Sequence, residues 1–384
     1  LDFHLSQEQR ELQKLALDIA EGHFRPRAAD VDRTEEYPYD NVEVLVKANL
    51  MGMTLPPQYG GGGRPLIDAV LCVEQVARAC GTTARILVEG NTGTTLAIAH
   101  YGSETQKQKY LPQIVAGEKP CICITEPEAG SAATDMRTRA VQAGDAYILN
   151  GTKCFITGAG VSNVYLVFAR FWGDSGADGI GGIIVEKGTP GFSIGRRTPM
   201  MGLRGLPEGE LVFQDCRVPA ANLLVVEQGF KKLMQAYNSQ RVGAATVALG
   251  IAQGALEEAV KYSLERHQFG QPIADFQGLR WMLSDMSVQV EAGRWLLYRA
   301  AANAGQDLPE MEEAAIAKTF IGEMAIAVTN SALQVFGGYG YSRDLPVERM
   351  VRDARMFTIG GGTAQMMRNV IGRGIVARGT GRWD

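Results

Sequence analysis

The sequence is poor in the residues that build metal centres and disulfide frameworks, with six cysteines and four histidines among 384 residues. The cysteines form no Cys-x-x-Cys pair and have no companion histidine cluster; they are Cys72, Cys80, Cys121, Cys123, Cys154 and Cys216. A chain of this length can bury a sizeable apolar core and does not need disulfides for stability. We therefore expect reduced core cysteines and no metal site.

Excess positive charge and long apolar runs are also missing. Lys plus Arg total 38 and Asp plus Glu total 42, and the resulting net charge of −4 disfavours a general binder of phosphate backbones. The longest apolar runs are too short or too interrupted to span a bilayer, and residues 1–10 have neither the basic nor the apolar region of a signal peptide. We expect a cytoplasmic enzyme that binds neither nucleic acid nor membrane.

The pattern of apolar residues changes twice along the chain. Three- and four-residue spacing predicts helices at Gln7–Glu21 and Leu66–Ala79. Short strand-like segments follow, separated by Gly, Asp and Pro; they include residues 146–150, 164–168 and 182–185. Long helical stretches then return over residues 231–268, 276–304 and 309–336. The sequence thus predicts three domains: a helical domain (1–120), a β domain (121–225) and a helical bundle (226–384).

Four dense motifs occur in a fixed order within this layout. They are Ile124-Thr-Glu-Pro-Glu-Ala-Gly-Ser131, Gly151-Thr-Lys-Cys-Phe-Ile-Thr157, Glu265-Arg-His-Gln-Phe-Gly-Gln-Pro-Ile273 with Phe276-Gln277, and Gln334-Val-Phe-Gly-Gly338. Each resembles a segment of the acyl-CoA dehydrogenase superfamily, and the resemblance covers almost the whole chain. It implies an α+β fold with an N-terminal α-helical domain, a middle β-barrel-like domain and a C-terminal four-helix bundle, which together bind FAD and an acyl-CoA thioester.

The resemblance also implies which residues contact the flavin. A flavin needs hydrogen-bond partners at its ring edge, and hydroxyl groups on a Gly-containing turn supply them without crowding. The expected neighbours of the ring or phosphates are Ile124, Thr125 and Ser131, those lying against the isoalloxazine are Phe155 and Thr157, and further cofactor contacts are Thr363 and Gln365. The alternative is a plain β-turn with structural Ser and Thr.

In this family a neighbouring subunit holds the adenine end of FAD. The matching positions in this chain are Arg266, Phe269, Gln277, Gln334, Gly337 and Gly338. Arg266 would face the pyrophosphate, because the planar guanidinium donates two hydrogen bonds to phosphate oxygens at once. The alternative for Arg266 is a surface salt bridge. The resemblance therefore implies a homotetramer in which FAD is shared between subunits.

The sequence departs from its family at the catalytic base. A dehydrogenase of this family removes the Cα proton with a Glu while the flavin accepts a hydride from Cβ. Gly361 stands where most members carry that Glu, and Gln240, immediately before Arg241, stands where a minority carry it. Neither Gly361 nor Gln240 can accept a proton at neutral pH. A base recruited from elsewhere, such as Glu89 or Asp135, is an alternative.

A second departure is Arg85, which the resemblance places at the closed end of the acyl pocket. A buried guanidinium beside apolar Ile86, Leu87 and Val88 is costly unless the substrate, or Glu89 at i+4, supplies negative charge. Two interpretations follow. Either Arg85 is a solvated arginine paired with Glu89, or the acyl group of the substrate ends in an anion.

Both departures are similar to those of a desulfinating branch of the family, which releases sulfite from a short acyl thioester. The first hypothesis is therefore conversion of 3-sulfinopropionyl-CoA to propionyl-CoA and sulfite. Arg85 would bind the sulfinate, Gln240 would orient substrate or water, and Arg241 would support Gln240. A dehydrogenase with a relocated base, acting on a short-chain or dicarboxylic acyl-CoA and reducing an electron-transfer flavoprotein, is the second hypothesis. A non-catalytic acyl-CoA-binding protein is the third.

Overall fold

The computed structural model describes residues 4–379, and the first part of this range is helical. The helices are α1 (Gln7–Ile19), α2 (Ala28–Thr34), α3 (Tyr39–Lys47), α4 (Leu66–Ala79), α5 (Gly81–Glu89), α6 (Thr94–Tyr101) and α7 (Glu104–Val115). A capping box between Ser6 and Gln9 starts α1, which continues as a π-helical turn through Phe24. The predicted helices at Gln7–Glu21 and Leu66–Ala79 are confirmed.

An eight-stranded sheet follows the helices. Its strands are β1 (Cys121–Cys123), β2 (Arg139–Ala143), β3 (Ala146–Thr157), β4 (Val164–Arg170), β5 (Ile180–Glu186), β6 (Phe192–Thr198), β7 (Glu208–Pro219) and β8 (Leu223–Val225). They are ordered β6-β7-β3-β2-β4-β5-β8, and β1 pairs with β4 in parallel. Strand β4 is buried along its whole length, which explains its nearly continuous apolar sequence. The predicted strand segments lie within β3, β4 and β5 and are confirmed.

The pairing of β3 with β7 positions two residues of the site. These strands are antiparallel, and Thr157 at the end of β3 lies opposite Glu208 at the start of β7. The register shifts between Lys153 and Ile156, so that the pairing is irregular there. Phe155 lies within this irregularity and has a φ of +53°, in the left-handed region. The distortion leaves the Phe155 ring exposed while its neighbours Cys154 and Ile156 are buried.

The last part of the chain is again helical. It contains α8 (Gly229–Glu265), a two-stranded hairpin of β9 (His267–Gln268) and β10 (Gln271–Pro272), α9 (Gln277–Ala304), α10 (Met311–Phe336), α11 (Val347–Arg355) and α12 (Ala364–Arg378). Helix α8 ends three residues before the predicted limit, because the chain turns back at Gly270, which has a φ of +82°. Within residues 4–379 no helix is long and apolar enough to cross a membrane.

Helix α8 lies in the core that joins the two helical regions, where it packs against α4, α5, α9 and α10. Two glycines permit its close approach to α4. A Cβ at Gly250 would lie 2.4 Å from the carbonyl oxygen of Glu74, and one at Gly254 would lie 2.5 Å from that of Arg78. Because these two residues have no side chain, the backbones of α4 and α8 come together. Helix α5, which follows α4 directly, also contacts α8.

Candidate active site

Helix α5 places a buried ion pair at the centre of the site. Arg85 is 6% exposed and Glu89, one helical turn later, is 1% exposed. Nη2 of Arg85 forms an ion pair with Oε1 of Glu89 at 2.8 Å, whereas its Nε and Nη1 atoms are buried without a hydrogen-bond partner among the described residues. The interpretation of Arg85 as a solvated arginine is therefore wrong, although its pairing with Glu89 is confirmed. The Nε and Nη1 nitrogens carry three N–H groups that can bind an anion.

Gln240 on α8 is fixed by residues of α5 and the turn that follows it. Its Nε2 donates to Oε1 of Glu89 at 2.9 Å, and its Oε1 accepts from the hydroxyl of Thr92 at 3.0 Å. Gly93 leaves the space for this amide, since a Cβ there would lie 2.4 Å from Oε1 of Gln240. An amide has two N–H donors and two oxygen lone pairs, so one of each remains for a ligand.

Arg241 has contacts of its own. Its Nη1 donates to Oδ1 of Asn238 at 2.8 Å, its guanidinium lies 5.5 Å from the centre of the Tyr237 ring, and its Nε is buried without a partner among the described residues. The support for Gln240 that the sequence assigns to Arg241 is provided instead by Glu89 and Thr92. Arg241 faces the segment that contains Gly361, because a Cβ at Gly362 would lie 3.9 Å from its Nη2.

Gly361 lies against Lys318, a residue that the sequence reasoning missed. A Cβ at Gly361 would be 3.1 Å from Cε of Lys318 and 3.9 Å from the hydroxyl of Tyr237. Nζ of Lys318 donates to the carbonyl oxygens of Phe357 at 3.1 Å and Gly362 at 2.7 Å. Burial, together with the charges of Arg241 and Arg85, lowers the pKa of Lys318 to about 7. The two positions where the family carries a base thus belong to one region of the structure.

Gly361→Glu is expected to destabilise the protein and not to install a base. Gly361 has a φ of +74°, and a left-handed conformation costs roughly 1–2 kcal/mol for a residue with a Cβ. The new side chain would also press on Lys318. Urea unfolding should show a loss of about this size or more, while the exposed Gly278→Ala, in open space on α9, should show none. Fast flavin reduction by butyryl-CoA in Gly361→Glu would contradict this expectation.

A cavity of about 140 Å³ opens beside Arg85. Polar side chains line it, notably those of Arg85, Thr157, Glu208, Arg352 and Arg355, and apolar residues such as Leu203 and Ile359 complete it. Sites for drug-sized ligands and cofactors are usually roughly 300–1,000 Å³, so this cavity has room only for a small group.

Glu208 lines this cavity and is another residue that the sequence reasoning missed. Its Oε1 accepts a hydrogen bond from the hydroxyl of Thr157 at 2.6 Å, and its Oε2 is buried without a partner among the described residues. Burial raises the pKa of Glu208 to about 7, although the Thr157 hydrogen bond and the charge of Arg85 act in the opposite direction. The only sequence signal was a carboxylate between Pro207 and Gly209 at the start of a strand.

The residues expected at the flavin ring lie where the 124–131 turn meets β3. The backbone N–H of Cys154 donates to the carbonyl oxygen of Thr125 at 2.9 Å, which joins the turn to the strand. Ser131 is exposed, Phe155 is 60% exposed, and Ile124 and Thr157 are partly buried.

A buried ion pair holds this turn from beneath. Nζ of Lys153, fully buried in β3, donates to Oε1 of Glu126 and to the carbonyl oxygen of Ile124, both at 2.8 Å. The Glu126 carboxylate also accepts from the backbone N–H groups of Arg137 at 2.6 Å and Thr138 at 3.0 Å. Burial raises the pKa of Glu126, but Lys153 and these hydrogen bonds outweigh burial and lower it. The pair is part of the site's framework, and the sequence reasoning missed it.

The residues expected at the adenine end gather at the far end of α8. The Arg266 guanidinium lies 5.6 Å from the centre of the Tyr339 ring, in the segment that follows Gln334, Gly337 and Gly338. Phe269 is 94% exposed in the hairpin, and Gln277 begins α9. Gln240 and the end of α8 are roughly 38 Å apart at about 1.5 Å per residue. One chain therefore does not bring Arg266 and Gln240 together.

Thr363 and Gln365, the last two expected cofactor contacts, lie at the start of α12. The Thr363 hydroxyl caps this helix by accepting from the backbone N–H of Met366 at 3.1 Å, and Gln365 is exposed in its first turn. Thr363 therefore has a structural role whether or not it contacts a cofactor.

Three family models match the chain in the order of its three structural regions. The acyl-CoA dehydrogenase N-terminal domain matches residues 6–118, the middle domain matches residues 121–216, and the C-terminal domain matches residues 227–376. The chain belongs to the acyl-CoA dehydrogenase family.

Curated relatives of this acyl-CoA dehydrogenase family member carry two kinds of name. The chain is 53% identical over 374 residues to a 3-sulfinopropanoyl-CoA desulfinase of Paraburkholderia xenovorans, with 96% of each chain covered. It is 41% identical over 373 residues to a short-chain specific acyl-CoA dehydrogenase of Clostridium acetobutylicum, covering 97% of this chain and 98% of the relative.

Solved structures confirm the α+β fold of the acyl-CoA dehydrogenase family that the sequence predicts. Butyryl-CoA dehydrogenase from Megasphaera elsdenii superposes with a TM-score of 0.95 at 38% identity, covering 98% of this chain and 100% of the other. A glutaryl-CoA dehydrogenase from Mycobacterium smegmatis in complex with FADH2 superposes with a TM-score of 0.92 at 26% identity, covering 98% and 97%.

Proposed function

We propose that this protein is an FAD-containing desulfinase that converts 3-sulfinopropionyl-CoA to propionyl-CoA and sulfite. The observation that carries the proposal is Arg85, whose buried guanidinium has two nitrogens, Nε and Nη1, without a hydrogen-bond partner among the described residues, at the edge of a small cavity. Such a group is costly unless a ligand supplies acceptors. A terminal sulfinate supplies a negative charge and oxygen acceptors for these N–H groups.

The proposed reaction needs no external electron acceptor. The C–S bond breaks, a proton joins the carbon, and the sulfur leaves as sulfur dioxide, which water hydrates to hydrogen sulfite. Overall, one 3-sulfinopropionyl-CoA with an ionised sulfinate and one water give one propionyl-CoA and one hydrogen sulfite ion. In this scheme Arg85 stabilises the leaving group in a water-poor cavity, where electrostatic contacts are strongest. Gln240, held by Glu89 and Thr92, orients substrate or water with its remaining N–H and lone pair.

Two contacts favour desulfination over dehydrogenation by a relocated base. Oε1 of Glu89 lies 2.8 Å from Nη2 of Arg85 and accepts a hydrogen bond from Nε2 of Gln240, so these two contacts already occupy that oxygen. Asp135 is exposed on a short 3₁₀ turn outside the cavity. The higher identity to the relative named as a desulfinase supports the same choice.

The residues at the turn and at β3 fit a flavin. A large aromatic side chain, Phe155, is exposed in a strained backbone conformation, and the Gly130 position of the turn opens onto free space. An exposed ring beside open space is what a bound flat cofactor would cover. A bound FAD supplies the hydride acceptor in dehydrogenation. The hydroxyl groups of Thr125, Ser131 and Thr157 would bind and orient its ring.

The adenine end of FAD is proposed to bind Arg266 of a neighbouring copy in a cytoplasmic homotetramer. Arg266→Ala should weaken FAD retention by about 1.5–3 kcal/mol for each charge-assisted hydrogen bond lost, which is roughly tenfold or more. FAD affinity would be measured by reconstitution of the deflavinated protein. Arg280→Ala, which removes an exposed arginine paired with Asp275 at 2.9 Å, is the control. Equal FAD affinity in both variants would show that Arg266 is a surface residue.

The function is tested by mixing the flavin-loaded protein anaerobically with 3-sulfinopropionyl-CoA and, separately, with butyryl-CoA. Sulfite and propionyl-CoA should form in equal amounts without an electron acceptor. Butyryl-CoA should bleach the flavin slowly, because a general base is typically worth roughly 10²–10⁴-fold in rate. Absence of sulfite together with rapid bleaching would overturn the proposal and favour a dehydrogenase that reduces an electron-transfer flavoprotein. Binding of both thioesters without either signal would favour a non-catalytic protein.

A further inference from the structure

Two polar side chains with buried atoms that lack hydrogen-bond partners, one a guanidinium and the other a carboxyl, line the same cavity. Arg85 has two buried nitrogens, Nε and Nη1, and Glu208 has a buried oxygen, Oε2, none of which has a hydrogen-bond partner among the described residues. They come from different domains, since Arg85 lies on α5 and Glu208 begins β7. Buried polar atoms without partners are rare in folded proteins and call for an explanation. Here the shared explanation is a ligand that uses both.

The carboxyl of Glu208 is fixed in place. Its Oε1 accepts from the hydroxyl of Thr157 at 2.6 Å, and the register of β3 with β7 places these two residues opposite each other. Oε2 is therefore the atom that remains for the ligand. A carboxyl held at one oxygen and unpartnered at the other is arranged as a proton-transfer group requires.

The proposed desulfination requires a proton donor, and Arg85, Gln240 and Lys318 do not supply one. When the C–S bond breaks, its electron pair stays on carbon, and that carbon must be protonated. A guanidinium and an amide are too weakly acidic to donate a proton to carbon near neutral pH, so neither Arg85 nor Gln240 supplies it. Lys318 uses its N–H groups on the carbonyl oxygens of Phe357 and Gly362 and does not line the cavity.

We propose that Glu208 is the general acid of this site, which protonates the β-carbon of the acyl chain from Oε2 as the C–S bond breaks. The proposal rests on the proposed desulfination. The proton moves from Glu208 to carbon, the sulfur dioxide leaves beside Arg85, and its hydration to hydrogen sulfite releases one proton that restores Glu208. No oxidant or reductant is consumed. In this scheme Arg85 binds the anion and Glu208 supplies the proton.

The protonation state of Glu208 suits this role near neutral pH. Burial raises its pKa to about 7, while the Thr157 hydrogen bond and the charges of Arg85 and Lys119 lower it and that of Glu89 raises it. The charged groups that line the cavity with it are Arg85, Arg352 and Arg355. Because the neutral carboxyl is the active form, turnover should fall as pH rises through about 7.

The test is Glu208→Gln in the flavin-loaded protein, which keeps the size and the oxygen that accepts from Thr157. The turnover number for 3-sulfinopropionyl-CoA should fall roughly 10²–10⁴-fold, the value of general acid catalysis, and the residual rate should lose its decline through pH 7. FAD content and the dissociation constant for propionyl-CoA should stay at wild-type values. Glu210→Gln, on the same strand and outside the cavity lining, is the matched control.

Turnover of Glu208→Gln within threefold of wild type, or an unchanged pH profile, overturns the proposal. So does flavin bleaching by butyryl-CoA that the wild type shows and Glu208→Gln lacks, because Glu208 would then be a base.

A binding experiment separates this proposal from the proposed function. Succinyl-CoA carries a terminal carboxylate, and its dissociation constant is measured calorimetrically without turnover. Wild type should bind it up to about tenfold more weakly for each pH unit above 7, because only the neutral Glu208 accepts a neighbouring anion, and Glu208→Gln should not. If the wild type releases no sulfite but its binding differs from that of Glu208→Gln in this way, the proposed desulfinase function is wrong, while the placement of Glu208 beside the end of the acyl group is supported. Identical pH dependence in both proteins removes Glu208 from the site.

Discussion

Arg85→Lys is expected to lower sulfite release from 3-sulfinopropionyl-CoA more than tenfold, despite conserving the charge. A lysine at this position can still pair with Glu89, which lies 2.8 Å from Arg85 Nη2. Its single ammonium group cannot also replace the donors at Nε and Nη1 of Arg85, which have no partner among the described residues. Loss of a charged partner in a desolvated site costs about 2–5 kcal/mol, and each 1.4 kcal/mol is about tenfold in rate. Arg85→Ala should be at least as impaired.

The measurement is sulfite release at saturating substrate without an electron acceptor, with FAD content and thermal stability recorded for each variant. Arg217→Lys is the matched control, because Arg217 forms an exposed pair with Asp145 at 2.7 Å. It should have wild-type turnover. If Arg85→Lys and Arg85→Ala release sulfite as fast as wild type, Arg85 does not bind the sulfinate, and its ion pair with Glu89 is structural.

Lys153→Met should destabilise the fold by about 3–5 kcal/mol, because it leaves the Glu126 carboxylate buried without its charge partner. The lysine donates at 2.8 Å to both Glu126 and the carbonyl oxygen of Ile124, so the turn from 124 to 131 also loses an anchor. The variant should therefore retain less FAD. Urea unfolding of the FAD-free protein measures the first effect, and flavin absorbance after gel filtration measures the second.

Two further variants define what the Lys153 result means. Lys153→Met combined with Glu126→Gln should recover part of the lost stability, because the uncompensated charge is gone. Lys14→Met removes an exposed helix pair with Asp18 at 2.6 Å and should cost about 0.5 kcal/mol or less. A loss below about 1 kcal/mol in Lys153→Met would contradict the assignment of the pair as a support of the turn.

The helices and strands could largely be predicted from the sequence, because their apolar periodicity is local. Two limits of the long helices follow from single residues: Glu310 caps α10 by accepting from the backbone N–H of Glu313, and Gly270 reverses the chain after α8. The proximity of Gln240 and Gly361 came from resemblance and not from periodicity. In the structure Gly361 lies against Lys318 and Tyr237, whereas the amide of Gln240 contacts Glu89 and Thr92.

What could not be predicted depends on contacts between distant segments. Glu208 becomes a cavity residue only because β7 pairs with β3 in the register that puts Thr157 opposite it. Glu89 was considered as a base, yet its carboxylate forms an ion pair with Arg85, four residues before it, and accepts a hydrogen bond from Gln240, on another helix. Lys153 gave a weak signal, a cation at a position where the strand's alternation predicts burial, and its partner Glu126 lies in a separate turn.

The hydrogen bond between Gln240 and Glu89 restricts how this site can change in evolution. Nε2 of Gln240 donates to Glu89 Oε1 at 2.9 Å, so a glutamate at position 240 would place two carboxylates against each other in a buried site. Installing a carboxylate base at position 240 by a single substitution therefore meets electrostatic repulsion as long as Glu89 is present. Glu89 in turn cannot be lost first without leaving Arg85 as an uncompensated buried charge. A carboxylate at position 240 thus requires at least two coordinated substitutions, each of which is unfavourable on its own.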